Sequence, residues 1–426
     1  MENRYDKYKD SGIAWIGEIP EHWDTYQLKR CSKFINGYAF NSNHFNKDKG
    51  IPVIRIGDIL NEQISFENIV YVQENNELEK FMAHKNDILI AMSGATVGKI
   101  GIYSTEDKVY INQRVGIIRT IQYNFIKRMF TTNGFVDYVN LSSAGSAQPN
   151  ISSEEILNFY IPAPSIKEQQ LIATYLDQKC SEIDELITMQ EEMITKLQSY
   201  KQSVITEAVT KGLDKNVPLK DSGIEWIGKI PEHWNTYQLK RCSKFINGYA
   251  FNSNHFNKDK GIPVIRIGDI LNEQISFENI VYVQENNELE KFIVHKNDIL
   301  IAMSGATVGK IGVYNSDDKV YINQRVGIIR TTQYNYIKRM FSTNGFIDYI
   351  NLSSAGSAQP NISSDGILNF HIPVPPLNEQ QTIANYLDQK CSEIDELISI
   401  KQQKIEKLKD YKKSLIFECV TGKRKV

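Results

Sequence analysis

A long heptad-patterned segment occupies residues 167–210, which read KEQQLIATYLDQKCSEIDELITMQEEMITKLQSYKQSVITEAVT. Its apolar residues recur at alternating spacings of three and four, and an altered copy follows at residues 378–421. A stripe this narrow, sustained over several turns with charges elsewhere, indicates a coiled coil. The predicted seam consists of Leu176, Ile183, Ile187, Ile194 and Leu197 in the first segment and of Leu387, Ile394, Ile398, Ile405 and Leu408 in the second.

The length of these helices predicts how they pack. At about 1.5 Å per residue, a helix of roughly 44 residues is about 66 Å long. A compact unit of the size available here offers no surface long enough to cover such a helix. The two helices are therefore expected to pair with each other as an antiparallel coiled coil. The alternative is that each helix packs only on its own globular unit.

The ends and the interruptions of the helices also carry signals. Ser165 and Glu168 fit a capping box at the start of the first helix, and Pro376 replaces the serine in the second copy. Lys201 and Lys412 interrupt the seam at equivalent positions. Their side chains are long enough to run past the seam, so we expect both ammonium groups to reach water.

The whole chain is written twice. The sequence Asp10-Ser11-Gly12 recurs as Asp221-Ser222-Gly223, an offset of 221 − 10 = 211 residues. A repeat of this kind decides the organisation of a chain before any other pattern does. It divides the 426 residues into a globular unit at residues 1–165, a central helix at 166–210, a linker at 211–220, a second globular unit at 221–376 and a C-terminal helix at 377–426.

The globular units are predicted to be largely β. In the first unit, short apolar runs bounded by turn residues predict strands at residues 51–56, 88–92, 99–103, 109–111, 115–118 and 159–161. Residues 123–138 have the apolar spacing of a short helix. The predicted fold class is therefore α+β, with two tandem, mixed α/β and largely β units joined by the two long helices.

Charge is distributed unevenly although the net charge is only −2. Residues 85–128 contain seven Lys or Arg against three acids, whereas residues 167–207 contain four bases against eight acids. The globular units are thus locally basic, and the first helix is acidic. This asymmetry suits a module that touches phosphate with one part and a protein partner with another.

Cysteine usage and hydropathy predict a cytoplasmic protein with no membrane association. The five cysteines show no CxxC spacing, which favours reduced thiols over a disulfide framework or a zinc site. No apolar run reaches about 18 residues, and the N-terminal segment has no apolar core typical of a signal peptide.

Several loops of the globular units have the composition of a DNA-binding surface. The run from Gly94 to Lys99 is not a P-loop, because only three residues separate its glycines and Ile100 replaces the metal-holding Ser or Thr. It is predicted to be a glycine-rich turn between strands that brings Lys99 and backbone amides to a phosphate. Asn112, Gln113 and Arg114 are side chains of the types that contact adenine and guanine edges in the major groove.

The candidate DNA-binding residues of the first unit are Arg30, Lys33, Tyr38, Asn41, Asn43, Lys99, Asn112, Gln113, Arg114, Ser146 and Gln148. Their counterparts in the second unit are Arg241, Lys244, Tyr249, Asn252, Asn254, Lys310, Asn323, Gln324, Arg325, Ser357 and Gln359. A purely structural role is the alternative for each of them.

Motifs for catalysis are absent from the sequence. It contains no [DNS]-P-P-[FYW] motif of base-methylating enzymes, no glycine-rich fingerprint for S-adenosylmethionine and no PD…(D/E)xK nuclease pattern. Zinc-ligand spacing and a G-x-S-x-G nucleophile motif are also missing. We therefore expect a protein that reads DNA without a catalytic centre, a metal site or a bound cofactor of its own.

Over essentially its whole length, the chain resembles the specificity subunit of type I restriction–modification systems. The resemblance rests on DSGI at residues 10–13, IPEHW at 19–23, SGATVGK at 93–99, NQR at 112–114 and IPAP at 161–164 leading into EQQ at 168–170. The long helix and the repetition of all these features complete it.

This resemblance implies two target-recognition domains, each reading one half of an interrupted site in double-stranded DNA. The helices would set the spacer and dock two adenine-methylating modification subunits, which bring S-adenosylmethionine. Restriction subunits, which use ATP and magnesium for translocation, would join where the system has them. Specificity subunits usually carry two different recognition domains, whereas the two domains here are nearly identical. The expected site is therefore an inverted repeat, because site symmetry mirrors protein symmetry.

Two functions of other classes remain as alternatives. One is a self-sufficient methylase or nuclease, against which the missing motifs argue. The other is a scaffold that joins proteins through its helices and does not read DNA.

Overall fold

The structure is a computed structural model of the chain. It describes residues 4–60, 62–143, 148–271, 273–354 and 360–426. The chain divides into two compact units. Unit 1 comprises Met1–Glu191 and Gln403–Val426, and unit 2 comprises Glu192–Gln402. Each unit therefore contains one globular body and segments of both long helices. That the boundaries predicted from the sequence separate independent domains stays a prediction.

Unit 1 is built mainly from short strands. The strands are β1 (Tyr8–Asp10), β2 (Glu18–Pro20), β3 (Asp24–Gln27), β4 (Lys33–Asn36), β5 (Ile51–Ile54), β6 (Ile59–Leu60), β7 (Gln63–Ile64), β8 (Val70–Val72), β9 (Met82–Ala83), β10 (Ile88–Ala91), β11 (Ile100–Ile102), β12 (Val109–Ile111), β13 (Val115–Arg119) and β14 (Tyr160–Ala163). The helices are α1 (Tyr123–Met129), α2 (Asn133–Ser142), α3 (Ser153–Asn158) and α4 (Ile166–Lys211), of which α4 ends in unit 2.

Two sheets form the body of unit 1. Sheet A has the order β11-β10-β13-β4 and is antiparallel throughout. Sheet B has the order β8-β5-β12-β9, in which β5 and β12 are parallel. Small pairs β1–β2, β3–β14 and β6–β7 surround them. The chain passes from sheet B to sheet A through the turn between β12 and β13.

The core follows from the two-residue period of the strands. Strand β10 is apolar at every position because both of its faces are covered. Ile88 and Ile90 pack with the helices, whereas Leu89 and Ala91 pack between the two sheets. Full burial of an aliphatic side chain contributes about 1.5–3 kcal/mol, so these layers hold the sheet edges in fixed positions.

One helix predicted from the sequence is in fact two. Residues 123–138 were expected to form a single short helix, but α1 ends at Met129 and α2 begins at Asn133. The hydroxyl of Thr132 accepts a hydrogen bond from the Phe135 N–H at 3.4 Å and so caps α2. A Thr cap starts a new helix axis while leaving the apolar spacing intact, so the spacing alone did not reveal the break.

The two long helices are antiparallel within unit 1. The Tyr8 hydroxyl donates to the Gly422 carbonyl at 3.1 Å, and the Tyr5 hydroxyl donates to Glu168 at 3.4 Å, which brings the end of the second long helix to the start of α4. Further along α4, Asp184 accepts from Lys412 Nζ at 2.7 Å. Residue numbers therefore increase along α4 in the direction in which they decrease along the second long helix, so the two segments run in opposite directions.

Unit 2 repeats the body of unit 1. Its strands are β15 (Leu219–Asp221), β16 (Lys229–Pro231), β17 (Asn235–Gln238), β18 (Lys244–Asn247), β19 (Ile262–Ile265), β20 (Ile270–Leu271), β21 (Gln274–Ile275), β22 (Val281–Val283), β23 (Ile299–Ala302), β24 (Ile311–Val313), β25 (Tyr321–Ile322), β26 (Val326–Arg330) and β27 (His371–Val374). Its helices are α5 (Tyr334–Met340), α6 (Asn344–Ser354), α7 (Ser364–Leu368) and α8 (Leu377–Val420), of which α8 ends in unit 1.

Unit 2 also contains an antiparallel pair of helical segments. The Tyr336 hydroxyl lies within hydrogen-bond distance of the carbonyls of Val209 and Pro373, at 3.3 and 3.1 Å, which brings the end of α4 near the strand that leads into α8. Further in, Lys201 Nζ lies 2.7 Å from Asp395. The alternative of two helices packed independently is therefore wrong.

The two lysines in the seam do not simply point into water, as predicted, but form ion pairs. Lys201 pairs with Asp395, and Lys412 pairs with Asp184, in each case on the opposite long helix. A cross-helix carboxylate within reach captures each ammonium group, which the sequence of a single helix could not show. Surface ion pairs of this kind contribute about 0–1 kcal/mol each.

The predicted seam residues differ in burial. Those that are buried are Leu176, Ile183, Leu387, Ile394 and Ile405, and those that are half-buried are Ile187, Ile194, Leu197, Ile398 and Leu408. Ile205 and Ile416 lie outside the predicted heptad rows and are buried as well. Near its C-terminal end each long helix therefore presents a wider apolar face to a globular body. That the predicted residues form one continuous seam stays a prediction.

The start of α4 is fixed by Glu168. Its Oε1 accepts a hydrogen bond from Trp23 Nε1 at 3.1 Å and lies 2.9 Å from His22 Nε2. Its Oε2 accepts from the Ser165 hydroxyl at 2.8 Å and from the Ser165 N–H at 3.1 Å, which is the expected capping box. Burial alone would raise the pKa of Glu168, but these hydrogen bonds outweigh burial and lower the pKa to about 2.

Replacing Glu168 by Gln is expected to destabilise unit 1 by about 1–3 kcal/mol at neutral pH, because charge-assisted hydrogen bonds are lost. The folded-state pKa lies below the ordinary value, so the stabilisation is present above about pH 4.3 and is lost as pH falls towards 2. The difference between Glu168→Gln and the unchanged protein should therefore shrink over that range. Hydrogen exchange in the first turns of α4 measures it.

The second copy provides the control for this prediction. Glu379 accepts from Trp234 Nε1 at 2.9 Å and lies 2.8 Å from His233 Nε2, but Pro376 offers neither a hydroxyl nor an N–H. Glu379→Gln should therefore destabilise unit 2 by less than Glu168→Gln destabilises unit 1. Equal losses would contradict the role assigned to the capping box.

Candidate DNA interface

Four segments of unit 1 meet at one end of sheet A. Register fixes this end, because Ala91 pairs with Val115 and Asn36 pairs with Gly116. Three segments adjoin these strand ends, residues 37–41, 92–98 and 112–115, and residues 148–151 bind to the second of them through a β-bridge between Ser93 and Asn150. Together the four segments are called the reading edge below. Residues distant in sequence thus share one surface.

Backbone hydrogen bonds hold the reading edge together. The Tyr38 N–H donates to Ile111 O at 3.0 Å, and the Met92 N–H donates to Arg114 O at 2.9 Å. The Gly94 N–H donates to Pro149 O at 2.9 Å, which ties the glycine-rich turn to the segment after α2. The turn is the feature predicted for residues 94–99, since it joins β10 to β11 and has Gly94 at φ 77°. Contact of Lys99 with phosphate stays a prediction.

Gly37 permits the close approach of two of these segments. A Cβ atom at Gly37 would lie 2.0 Å from the carbonyl oxygen of Asn112. No side chain can occupy that space, so only glycine lets the loop that begins at Tyr38 pack against the turn of residues 112–115. Tyr38 and Asn112 consequently form a parallel β-bridge.

The turn of residues 112–115 exposes two side chains that have no partner among the described residues. The Val115 N–H donates to the Asn112 carbonyl at 2.8 Å and closes the turn, whose backbone is also held by Ile54 and Met92. Gln113 and Arg114 are exposed at its tip, and neither side chain has a partner among the described residues. A rigid projection with a free amide and a free guanidinium has the chemistry needed to read base edges in a major groove.

Most of the basic residues counted in the sequence are already neutralised. Of the seven between residues 85 and 128, five lie in ion pairs: Lys85 with Glu106, Lys108 with Glu74, Arg119 with Asp87, and both Lys127 and Arg128 with Asp177. Lys99 and Arg114 have no acidic partner in the part of the chain that the structure describes. The unpaired positive charge of this region therefore lies on Arg114, in the reading edge, and on Lys99, which directly follows the edge's glycine-rich turn.

Arg30 and Lys33 lie away from the reading edge. Lys33 pairs in register with Arg119 at the other end of β4 and β13, and Arg30 precedes it in a short 3₁₀ turn. At about 3.3 Å per residue, the five residues from Lys33 to Tyr38 span roughly 16 Å. Nearness in sequence suggested one surface, but an extended strand carries these residues apart. Arg241 and Lys244 occupy the same positions in unit 2, with Arg241 over the Tyr237 ring.

A groove of 840 Å³ opens beside the reading edge and shares Tyr38 with it. Tyr38, Phe40 and Asn43 line one side, and Gln73 and Asn76 line the other. Gln73 and Asn76 were not expected to belong to the site, because they follow an unrelated strand some 30 residues later in the sequence. The amide-rich run QENN at residues 73–76 was the signal that could have pointed to them.

Unit 2 builds the same edge. Tyr249 bridges to Asn323, the Met303 N–H donates to Arg325 O at 2.8 Å, and the Gly305 N–H donates to Pro360 O at 2.9 Å. Gln324, Arg325 and Lys310 are exposed, as are Asn252 and Asn254. The predicted residues Ser146, Ser357 and Gln359 lie outside the described residues, whereas Gln148 is described and exposed.

Comparison with known proteins identifies the family. The model of the type I restriction modification DNA specificity domain matches residues 20–196 and 231–410. The chain therefore belongs to this family. It is 24% identical over 429 residues to the type I restriction enzyme EcoBI specificity subunit of Escherichia coli, covering 97% of this chain and 88% of that protein. It is 24% identical over 433 residues to the MjaVIII specificity subunit of Methanocaldococcus jannaschii, covering 96% and 94%.

Solved structures share the fold. A chain from a study of complex assembly and conformational transition of the type I R-M system aligns with a TM-score of 0.75 at 16% identity, covering 94% of this chain and 98% of that one. The HsdS subunit from Thermoanaerobacter tengcongensis aligns with a TM-score of 0.53 at 17% identity, covering 95% and 98%. The predicted fold of tandem α+β bodies and two long helices is thereby confirmed.

The described residues lack two features, a membrane-spanning helix and a cluster of metal ligands. None of the helices there is both long and apolar enough to cross a bilayer. Nor do His, Cys, Asp and Glu side chains gather there in a group that could hold a metal ion.

Proposed function

We propose that this chain is the DNA-reading subunit of a type I restriction–modification complex. Each unit contacts one half of an interrupted site in double-stranded DNA through its reading edge. The two half-sites are the same short sequence on opposite strands, separated by a spacer whose bases are not read. Gln113 and Arg114, with Gln324 and Arg325 in the other unit, contact base edges, and Lys99 and Lys310 contact phosphates.

The identity of the two reading edges is the observation that carries this proposal. Within the body, residues 25–81, 84–101, 107–120 and 140–153 are the same in both copies, and they include every segment of the edge. Differences fall elsewhere, at residues 82, 83, 102, 104–106 and 121 among others. Several of these positions lie near the end of sheet A that bears Lys33 and Arg119. Two reading edges with the same residues are expected to bind the same base sequence.

The chemistry of the complex is proposed to lie on partner subunits. Two modification subunits dock on the long helices and methylate adenine with S-adenosylmethionine, so this chain is a non-catalytic component that binds no cofactor. Restriction subunits with ATP and magnesium join where the system includes them. The complex acts in the cytoplasm, where it meets the DNA. The family membership of the chain and the acidic composition of the first half of α4 support this division of labour.

Mapping methylated adenines in a cell that contains the chain and its modification subunits tests the proposal. The expected motif is an inverted repeat with a fixed spacer, because two equal readers face one duplex. A motif with two unrelated half-sites would show that the two edges read different bases. Loss of the motif on deleting this chain alone is the control.

The two alternative functions make different predictions in the same system. A self-sufficient methylase would methylate DNA when the purified chain is given S-adenosylmethionine alone. A scaffold would assemble the modification subunits but leave the complex without sequence preference in a gel shift. We expect neither result.

A further inference from the structure

We propose that the groove beside the reading edge holds one nucleotide extruded from the bound duplex. This inference rests on the proposed function, since it requires DNA at the reading edge. It assigns a ligand class, a single unpaired nucleobase, to the groove lined by Tyr38, Phe40, Asn43, Gln73 and Asn76.

The shapes of the two neighbouring surfaces point to different parts of DNA. The turn of residues 112–115 projects, and a projecting element can enter a duplex groove. The surface beside it is concave and has a volume of 840 Å³, within the range of 300–1,000 Å³ that is usual for small-molecule sites. A concave surface cannot enter a duplex groove, so it can only take something that protrudes from the duplex. The two candidates are a phosphodiester ridge and an extruded base.

The charge of the lining favours the base. Proteins hold phosphates chiefly with Lys and Arg, and neither residue type lines this groove in the described structure. The groove instead includes the carboxylate of Glu74, which pairs with Lys108. A phosphate in the groove would therefore meet a carboxylate whose charge Lys108 already balances, and among the described lining residues only His44 could carry a positive charge.

The apolar part of the groove can stack with a flat ring. Tyr38 is 40% exposed, and its ring centroid lies 4.9 Å from that of Phe40, which in turn packs 5.7 Å from the buried Tyr110. The Tyr110 hydroxyl donates to the Asn75 carbonyl at 3.0 Å, so the far wall of the groove is anchored to the same cluster. Proteins that take bases out of the stack hold them against such aromatic surfaces.

The polar part of the groove can read the edge of a base. Asn41 and Asn75 each accept a backbone N–H, at 3.0 and 2.9 Å, and so fix the two loops. The side chains of Asn43, Gln73 and Asn76 have no partner among the described residues. Each free amide offers both donors and an acceptor, which match the Watson–Crick edge of an unpaired base.

A mismatch scan of the methylated site tests this inference. In the reconstituted complex, each base pair of one half-site is converted in turn to a mismatch by changing only the strand opposite the read base. A mismatch at an extruded pair is expected to tighten binding about tenfold or more, because the pair is already open. We expect this at two positions, the methylated adenine, which the modification subunit takes, and one further position.

Groove variants assign that further position. Asn43→Ala, Gln73→Ala and Asn76→Ala, combined with the same changes at Asn254, Gln284 and Asn287, should abolish the tightening there and leave it at the methylated adenine. The matched control is Gln63→Ala with Gln274→Ala, which removes exposed amides outside the groove. It should leave the tightening unchanged at both positions.

Three results would overturn the inference. Tightening only at the methylated adenine would show that this groove holds no base. A phosphate in the groove would give that same result. A second tightening that survives in the groove variants would place the base elsewhere. In both cases sequence-specific binding persists, and the proposed function stands. A complex without sequence preference would instead contradict the proposed function and this inference together.

Discussion

Replacing Gln113 and Gln324 by alanine is expected to remove the choice of base at one position of each half-site. A bidentate contact between an amide and adenine discriminates against other bases by about 1–3 kcal/mol, or roughly 5- to 150-fold. Because both side chains are exposed at the tip of a turn whose backbone is held from three sides, the substitution should leave folding unchanged. Methylation mapping would show the original motif with one degenerate position in each half.

Altering only one copy sharpens this experiment. Gln113→Ala by itself should yield a motif in which one half is relaxed and the other is intact, so that an inverted repeat becomes an asymmetric site. Arg114→Ala should relax a different position, because its guanidinium suits guanine. An unchanged motif in the double variant Gln113→Ala, Gln324→Ala would show that the turn does not read bases.

Lys99→Ala with Lys310→Ala is the matched control for base reading. These side chains are proposed to contact phosphates, which carry no sequence information. The change should weaken binding to all sequences alike and reduce the slope of affinity against salt by about one for each lysine that contacts a phosphate. The methylated motif should stay the same.

The sequence was sufficient for features set by periodicity and by repetition. Heptad spacing predicted the long helices, the 211-residue offset predicted two equal bodies, and the glycines of residues 94–98 predicted a turn between strands. These features depend on local pattern, so no tertiary contact had to be known. The capping box of Ser165 and Glu168 was predictable for the same reason.

Features that depend on long-range contacts were not predictable. Arg119 and Arg128 look like free bases in the sequence, but their partners Asp87 and Asp177 lie 32 and 49 residues away. The groove joins two loops through Tyr110, and no local pattern connects them. Arg30 and Lys33 are close to Tyr38 in sequence, but β4 places them at the end of sheet A opposite to Tyr38. Which residues touch DNA stays a prediction.

Removing Asp177 is expected to destabilise unit 1 strongly, because the buried Arg128 guanidinium loses its closest carboxylate. The side chain of Arg128 is 8% exposed, its Nη2 lies 2.6 Å from Asp177, and its Nη1 lies 3.7 Å from Glu62. Breaking a buried ion pair leaves a charge without compensation and typically destabilises by 3–5 kcal/mol. Asp177 is 40% exposed and Glu62 remains near Arg128, so both water and Glu62 moderate the loss, and we expect about 3 kcal/mol for Asp177→Ala.

Replacing Arg128 should destabilise unit 1 much less than replacing Asp177 does. Arg128→Met fills the same volume without a charge, and Asp177 keeps Lys127 at 3.1 Å and its contact with water. We expect a loss below about 1 kcal/mol, as for an exposed pair. The double variant Arg128→Met, Asp177→Ala should recover most of the stability lost in Asp177→Ala, since no buried charge remains. If Asp177→Ala were no more harmful than Arg128→Met, the burial of the guanidinium would not be the cause.

The ion pair of Arg128 connects segments of unit 1 that are distant in sequence. Glu62 lies beside the β6–β7 pair with a φ of 62°, a backbone region that residues other than glycine seldom adopt. Arg128 lies in the last turn of α1, and Asp177 belongs to α4, so one guanidinium joins three segments of unit 1 and attaches the body to the long helix. Hydrogen exchange should therefore rise in α1 of an Asp177→Ala variant. It should stay unchanged in α5, where Arg339 retains Asp388 and Glu273.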